Sequence, residues 1–439
     1  MVGDFPLKTT FEELIAKGDL QIGDGYRAKN NELGGNGIIF LRAGHVNDRG
    51  IDFSGVDKFN GDVTANLEAK TSKVGDTIVT TKGNSTGRSS FVEEWMPEFV
   101  YSPHLSFWRS GNQGTIDNGF LRYWSKSKEF LDQLNGMKVS TDMAPYLSLT
   151  DQRRLRITLT SIQEQRFASQ ILSTLDDKIE LNRKTNETLE GIAKALFKSW
   201  FVDFDPVRAK AERRPTGLPY EISELFPDSF EESELGEIPS GWAIAPLDDI
   251  ACYLNGLALQ KFPPQGNHTD LPVIKIAQLR KGDTIDSDKC SNKLGEEYVI
   301  KDGDMLFSWS GSLLVDTWTG GKGALNQHLF KVTSEKHEKW FFYLWTKRHL
   351  DDFQAIAESK ATTMGHIQRR HLSEAMVLVP PSDCLDQMTR IFAPLLERQI
   401  RARIESRNLA SIRDALLPRL ISGEIRVPDA EKMLEEVGI

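Results

Sequence analysis

The chain has 439 residues, of which 39% are hydrophobic and 27% charged, so we expect a water-soluble protein of two or more domains. Cys252, Cys290 and Cys384 are scattered without a Cys-x-x-Cys pair, which argues against a zinc ribbon and a disulfide framework. The sequence shows no signal-peptide pattern and no membrane-length apolar run, which predicts a cytoplasmic protein.

The net charge of −9 argues against a strongly basic nucleic-acid-binding protein. Most of this charge lies in two acidic segments, residues 215–240 and 428–439. The rest of the chain is close to neutral and carries local basic loops, so DNA remains a possible partner.

Residues 1–158 are predicted to form a first globular region of mixed α/β structure. Short strand patterns bounded by Gly and Asn lie at residues 37–41 and 76–81, and residues 63–70 fit a short helix.

Residues 159–214 form a predicted helical region. From 162 to 200 the sequence contains one glycine and no proline, and its apolar residues lie on one face of a helix. A helix of this length would extend about 58 Å. Asn182 and Asn186 lie in the apolar seam, where polar residues either set helix register or border a solvated face. The helix is predicted to end near residues 204–206, at Pro206.

A second half follows the same order. Residues 215–380 are predicted to contain an acidic linker (215–240) and a second mixed α/β region, and residues 381–439 a second helical region. Within its helix, at 384–421, Pro394 indicates a kink or a late start, and Pro418 is expected at the end.

The two halves are an internal repeat. Gly75-Asp76 returns as Gly303-Asp304, and apolar helix positions such as Ile171 and Ile391 recur at a nearly constant spacing. We therefore predict helix-packing or partner-binding roles for a set of seam residues: Leu175, Ile179, Asn182, Asn186, Leu189, Ile192, Leu196, Leu395, Leu409, Ile412 and Leu416.

Motifs for catalysis are weak. A base methyltransferase needs a Pro-Pro-aromatic loop after Asn or Asp, and an ATPase needs a Gly-Lys-Ser/Thr phosphate loop; neither pattern is found. Asp62, Glu68 and Lys70 stand in an order that could bind Mg²⁺ for DNA cleavage, although the same residues fit a solvated helix. The sequence predicts neither a catalytic residue nor a metal site, and the nuclease remains an alternative.

Polar loops that contain Gly and basic residues are the better candidates for a DNA interface, because Arg, Asn, Gln and Lys read base edges and Ser, Thr and Lys hold phosphates. Surface turns use the same residues. His104 and His328, at equivalent positions, are expected to make structural hydrogen bonds. The candidate DNA-binding residues are Lys82, Asn84, Ser85, Thr86, Arg88, Arg153, Arg154, Ser308, Trp309, Ser310, Thr362, Thr363, His366, Gln368, Arg369 and Arg370.

Several segments carry a family resemblance that spans most of the chain. They are Trp200-Phe201-Val202-Asp203-Phe204-Asp205-Pro206, Leu235-Gly236-Glu237-Ile238-Pro239-Ser240-Gly241-Trp242, Asn326-Gln327-His328-Leu329-Phe330, Gly365-His366-Ile367 and Leu416-Leu417-Pro418-Arg419-Leu420-Ile421-Ser422-Gly423-Glu424. With them the chain resembles the specificity subunit of type I restriction–modification systems. The first half matches less well, since Ala144-Pro145-Tyr146 stands where the second has Gly365-His366-Ile367.

The resemblance implies two globular α/β target-recognition domains separated by two long antiparallel helices with pseudo-twofold symmetry. It implies a non-catalytic subunit that recognises a bipartite asymmetric site on double-stranded DNA. Two methyltransferase subunits would dock on the helices and methylate adenine, and restriction subunits would join them. The chain itself would bind no cofactor, because S-adenosylmethionine, ATP and Mg²⁺ would lie on the partners. A bivalent protein scaffold that never contacts DNA is a further alternative.

Overall fold

The structure is a computed structural model that describes residues 6–47, 50–61, 65–111, 114–139, 146–359 and 365–425. It divides into two compact units. Unit 1 contains Met1–Lys178 and Leu409–Ile439, and unit 2 contains Ile179–Asn408. Each unit therefore includes one globular region and a part of both long helices. The sequence analysis instead treated each helical region as separate from the globular regions.

Strands and short helices alternate through the globular region of unit 1. The strands are β1 (Leu7–Thr10), β2 (Leu20–Asp24), β3 (Ile39–Leu41), β4 (Val46–Asn47), β5 (Gly50–Ile51), β6 (Asp57–Lys58), β7 (Thr77–Thr80), β8 (Ser89–Phe91), β9 (Phe99–Tyr101), β10 (Leu105–Ser110) and β11 (Arg156–Leu159). The helices are α1 (Phe11–Lys17), α2 (Ala65–Glu68), α3 (Asn118–Trp124), α4 (Lys128–Val139) and α5 (Leu149–Arg153).

The first long helix, α6 (Ile162–Phe201), and the second, α14 (Ser382–Ile421), bracket the elements of the second half. Its helices are α7 (Asp205–Ala211), α8 (Tyr220–Ser223), α9 (Leu247–Ile250), α10 (Ile276–Lys281), α11 (Lys339–Arg348), α12 (Leu350–Ser359) and α13 (Arg369–Glu374). Its strands are β12 (Phe230–Ser233), β13 (Gly236–Pro239), β14 (Ala243–Pro246), β15 (Cys252–Asn255), β16 (Leu271–Ile274), β17 (Lys289–Cys290), β18 (Val299–Ile300), β19 (Met305–Ser308), β20 (Leu314–Thr317), β21 (Gly323–Leu325), β22 (Leu329–Thr333) and β23 (Met376–Val379).

The internal repeat is confirmed in the sheet topology of the two units. The antiparallel sheet β2-β10-β7-β8 of unit 1 has the same order as β15-β22-β19-β20 of unit 2. An antiparallel pair of distant strands also recurs. In unit 1, the first strand β1 pairs with the last strand β11, and in unit 2, β14, the first strand after the β12–β13 hairpin, pairs with the last strand β23. A parallel pair recurs as well, β3 with β9 and β16 with β21. The mixed α/β prediction therefore holds for both regions.

The repeated Gly-Asp motif is a tight turn before the central strand of each of these sheets. Gly75 and Gly303 have positive φ values of 91° and 88°, which only glycine adopts without strain. The Asp76 carboxylate accepts from the Lys73 backbone N–H at 2.9 Å, and Asp304 accepts from that of Lys301 at 2.8 Å. The motif therefore has a structural role.

Each long helix has 40 residues, which confirms the two predicted helical stretches. Ser161 and Glu164 exchange side chain-to-backbone hydrogen bonds at the start of α6, which satisfies its first amide groups. The predicted end near residue 204 lies slightly late, since Phe204 adopts a left-handed conformation (φ 55°) and α7 then places Pro206 in its first turn.

Of the two prolines of α14, Pro418 lies in the last turn, as predicted, whereas Pro394 does not mark a late start of the helix. Pro394 lies inside an unbroken helix that already begins at Ser382, so it does not mark a late start. Pro418 lies inside the last turn, which continues to Ile421. Leu416, Leu417, Leu420 and Ile421 are all buried around it, and this packing stabilises the turn despite its missing hydrogen bond.

The two long helices pack antiparallel within each unit. In unit 2, Asn182 of α6 donates a hydrogen bond to Glu405 at 3.0 Å, and Trp200 contacts the Phe392 ring with centroids 5.4 Å apart. In unit 1, Arg413 donates to Asp176 at 2.8 Å, and the backbone of Gly423 lies against Thr160. In both units, residues with higher numbers in α6 contact residues with lower numbers in α14, as expected for antiparallel helices.

The predicted acidic linker, residues 215–240, is an ordered segment of unit 2. It contains α8 and the β12–β13 hairpin. Phe226 is buried and packs on Trp200 with ring centroids 5.1 Å apart, and Ile238 is buried in the same core. The apolar residues between the carboxylates explain why this segment folds onto the core. None of the helices in the described ranges is long and apolar enough to span a membrane.

Candidate nucleic-acid interface

The central sheet of unit 2 gathers several polar and aromatic side chains at one end. Because β15, β22, β19 and β20 are antiparallel neighbours, the ends of β15 and β19 meet the beginnings of β22 and β20. This end of the sheet carries Asn255, Trp309 and His328. The backbones of Ser310 and His366 form an isolated antiparallel β-bridge there. We call Asn255, Gln327, His328, Trp309 and His366 the unit 2 end cluster.

Trp309 is the centre of the unit 2 end cluster. Its indole N–H donates to the Asn255 side-chain oxygen at 2.9 Å. Its ring centroid lies 6.0 Å from those of His328 and Phe330 and 6.3 Å from that of His366. The side chain is half-buried, so one part of the ring is fixed while another part remains accessible.

His328 makes the structural hydrogen bond that the sequence predicted. Its Nδ1 lies 3.0 Å from the hydroxyl oxygen of buried Ser310, and its Nε2 lies 3.3 Å from the amide nitrogen of Gln327. The equivalent His104 of unit 1 has an exposed side chain.

Arg369 is a candidate DNA contact that also makes contacts within unit 2. Its guanidinium donates to the Tyr253 carbonyl at 3.1 Å and lies 5.7 Å from the Phe330 ring centroid. Its side chain remains exposed, like those of the neighbouring Gln368 and Arg370. Arg153 and Arg154 are also exposed, but they lie at the end of α5, while Arg369 and Arg370 begin α13. The two arginine pairs thus occupy opposite ends of equivalent helices, which corrects their predicted correspondence.

Unit 1 presents different side chains at the same sheet end. The backbones of Lys82 and Tyr146 form an isolated antiparallel β-bridge, as those of Ser310 and His366 do in unit 2. Tyr146 is 58% exposed. Asp24, which ends β2 as Asn255 ends β15, pairs with Lys70 at 2.5 Å. The framework is shared and the chemistry of the surface is not.

The loop between β7 and β8 divides into exposed and structural residues. Lys82 and Asn84 are exposed, and Ser85 is half-buried. Thr86 is buried and donates to the Gly83 carbonyl at 2.6 Å, while Arg88 donates to the Val46 carbonyl at 3.2 Å. Thr86 therefore closes the turn, and Arg88 ties it to the neighbouring strand.

The corresponding turn between β19 and β20 is also closed by a side chain. The Ser308 hydroxyl, which is fully buried, accepts from the Leu314 N–H at 2.9 Å and donates to the Ser312 carbonyl at 2.5 Å. Ser308 and Ser310 thus shape the turn that carries Trp309. Thr362 and Thr363 lie outside the described residues.

The predicted helix-packing residues differ in burial. Leu175, Asn182, Leu409 and Leu416 are buried. The half-buried members are Ile179, Asn186, Leu189, Leu196, Leu395 and Ile412. Ile192 is 43% exposed, so of the two predicted roles, helix packing and partner binding, its side chain is available for the second. Exposed Leu181 lies on the same face of α6, eleven residues earlier.

The structure gives no support to the proposed nuclease triplet. Lys70 pairs with Asp24, Glu68 is exposed, and Asp62 lies outside the described residues. Across the described ranges no group of three or more His, Cys, Asp or Glu side chains is placed to hold a metal ion.

The sequence did not predict four residues that lie at these sheet ends: Asn255, Gln327, Tyr146 and Asp24. Asn255 and Asp24 are distant in sequence from the predicted loops, and the pairing of strands brings them to the sheet ends. The alignment of β2 with β15 within the repeat was the available signal for Asp24 and Asn255.

Comparison with known proteins places the chain among DNA specificity proteins. Residues 19–191 and 239–406 match the family model described as the type I restriction modification DNA specificity domain. The chain is 28% identical over 324 residues to the MjaIX specificity subunit of Methanocaldococcus jannaschii, covering 71% of this chain and 69% of the relative. It is 26% identical over 404 residues to the HindI specificity subunit of Haemophilus influenzae, covering 81% and 88%.

A solved structure shares the fold. The S subunit of a type I restriction–modification system from M. genitalium matches with a TM-score of 0.60 at 14% identity, covering 96% of this chain and 97% of that one. This agrees with two mixed α/β regions that alternate with long helices along the chain.

Proposed function

Because the chain belongs to the family of type I restriction–modification DNA specificity subunits, we propose that it recognises a split, asymmetric DNA site, one half through each unit. The observation that carries this proposal is the combination of a shared framework with different surface residues. Two readers built on one framework suit two half-sites of different sequence.

The shared framework includes a close backbone approach behind each sheet end. A Cβ atom at Gly25 would lie 2.0 Å from the Ser102 carbonyl oxygen, and one at Gly256 would lie 2.2 Å from that of Asn326. Both positions therefore need glycine. In front of this support, unit 1 presents Lys82, Tyr146 and the Asp24–Lys70 pair, and unit 2 presents its end cluster.

The long helices are the proposed docking surface for two methyltransferase subunits. Leu181 and Ile192 of α6 are 57% and 43% exposed, although their chemistry favours burial. A partner that covers them would remove this apolar surface from water. Restriction subunits would join the same assembly.

Catalysis is proposed to belong to these partners, since specificity subunits are the non-catalytic, DNA-recognising components. The methyltransferase subunits would bind S-adenosylmethionine and methylate adenine, and the restriction subunits would use ATP and Mg²⁺. The contribution of this chain would be the choice of the DNA site.

Genome-wide mapping of methylated adenines tests the proposal. A host that carries this chain and its methyltransferase should show one bipartite methylated sequence, and deletion of the chain should abolish it. Methylation that persists without the chain would contradict the role in recognition. Footprinting of the complex should protect both half-sites, whereas a protein-only scaffold would protect none.

A further inference from the structure

The amide of Asn255 is held in one orientation. An indole N–H can only donate, so the atom of Asn255 that faces Trp309 at 2.9 Å is the oxygen. The amide nitrogen consequently points the other way. Among the described residues this nitrogen has no acceptor, and the Asn255 side chain is exposed at the sheet end.

Trp309 is itself fixed by its surroundings. Its ring packs near Phe330, His328 and His366, and its turn is closed by the buried Ser308 hydroxyl. The Asn255 amide therefore does not need to be ordered when a ligand arrives. A donor that is ordered in advance discriminates without an additional entropic cost.

The chemistry of the exposed group selects its partner. An amide NH₂ whose oxygen is occupied presents donors, and the base-edge acceptors of the major groove are guanine N7 and O6, adenine N7 and thymine O4. The N4 amino group of cytosine is a donor and would meet the Asn255 donor unfavourably.

We infer that Asn255 reads a hydrogen-bond acceptor on a base edge, guanine N7 or O6 or thymine O4, within the half-site of unit 2, and that Trp309 is its positioning residue. Adenine is less suited, because its N7 acceptor lies beside the N6 amino group, a donor that the amide NH₂ cannot accept from. This inference rests on the proposed function.

Unit 1 has the opposite chemistry at the equivalent strand end. Asp24 offers only acceptors, and one of its oxygens is paired with Lys70. At matched positions, unit 2 therefore presents a hydrogen-bond donor and unit 1 an acceptor, which supports recognition of different bases.

Binding of the complex of this chain with its methyltransferase subunits tests the inference. The probes are duplexes with the mapped target, in which one guanine or thymine of the unit 2 half-site is replaced by an analogue lacking N7, O6 or O4. For the wild-type complex, one analogue should weaken binding about tenfold, the equivalent of one hydrogen bond. Asn255→Ala should weaken binding to natural DNA by the same factor and show no further loss on that analogue.

Two further variants separate positioning from folding. Trp309→Phe keeps an aromatic ring and removes the N–H, so it should reduce discrimination at the same base while leaving the other half-site unaffected. Asn292→Ala, at an exposed asparagine elsewhere in unit 2, should bind as the wild type. Thermal unfolding of each variant checks that unit 2 stays folded.

The possible outcomes separate failure of the Asn255 contact from failure of the proposed DNA recognition. The contact would be overturned if the fold-loss of binding caused by Asn255→Ala and that caused by the base analogue multiplied when combined. Unchanged binding by Asn255→Ala would do the same. Equal binding of the wild-type complex to all of these duplexes would overturn the contact as well. A wild-type complex that binds the mapped target no better than a duplex of scrambled sequence would instead refute the proposed function.

Discussion

At the residue scale, the charge cluster around Asp176 is the main polar contact between α6 and α14 in unit 1. Its carboxylate receives hydrogen bonds from Arg413 at 2.8 Å and Tyr123 at 2.9 Å, and Arg122 lies 3.4 Å away. Burial raises the pKa of Asp176, but Lys126, Arg413 and Arg122 outweigh this effect and leave it below its usual range. The ionised form is therefore stabilised by folding.

We expect Asp176→Asn to lower the free energy of unfolding of unit 1 by about 2 kcal/mol at pH 7, because the cations around it would lose their partner. A carboxyl group whose pKa is lower in the folded than in the unfolded chain stabilises the fold when the pH is above its unfolded pKa, about 3.9. This contribution is lost as the pH falls through the folded pKa. The deficit of the variant should therefore shrink below about pH 4. Urea unfolding between pH 7 and 3 measures it.

Asp177→Asn is the matched control, since its side chain is exposed next to Asp176 on the same helix. This control should unfold within about 0.5 kcal/mol of the wild type. Equal effects of the two substitutions would show that the cluster contributes nothing specific.

At the scale of single elements, the long helices contain two glycines in contrasting environments. Gly191 lies inside α6, is exposed, and has no atom within 4 Å of the place a Cβ would take. Gly423 follows α14 with φ +74°, and its Cβ would lie 2.7 Å from Thr160. The first glycine costs helix stability, and the second is required by the end of the helix.

We predict that Gly191→Ala raises the free energy of unfolding of the isolated chain by about 0.5–1 kcal/mol, because alanine loses less backbone entropy in a helix. Gly423→Ala should lower it, since it adds both a strained φ and a clash. Thermal or urea unfolding compares the two. A loss of stability in Gly191→Ala would mean that α6 is not a regular helix at this residue.

At the scale of the whole molecule, each unit has its own sheet and its own segments of both long helices, as two independent DNA readers would require. The β1–β11 pair closes the first globular region immediately before α6 begins. An exchange of the first reader should therefore extend through β11, to residue 159. A junction at residue 150 would leave β1 without its partner strand.

Replacing residues 1–159 with the equivalent segment of a related chain should change one half of the methylated sequence and preserve the other. The reason is that the hydrogen bonds and ring contacts described for Trp309 and His328 of the unit 2 end cluster join residues outside this segment. Mapping of methylated adenines in the host gives the result. A change in both halves would contradict independent reading.

The sequence predicted much of the framework, because its signals are local or periodic. Apolar periodicity predicted α6 and α14 to within a few residues, and the Gly-Asp repeat identified Gly75 and Gly303 as equivalent positions of the two halves. It did not predict that Phe226 and Ile238 would fold the acidic segment onto the core, since charge dominated the local pattern.

The interface was decided by the tertiary structure. The sequence pointed to the loops around Lys82 and Trp309, where basic and aromatic residues cluster locally. Strand pairing alone brought Asn255 to Trp309 and Tyr146 to Lys82. It also directed Arg369 onto Phe330 and Tyr253. Periodicity along a chain determines which elements form, whereas hydrogen-bond partners distant in sequence determine which side chains remain available to a ligand.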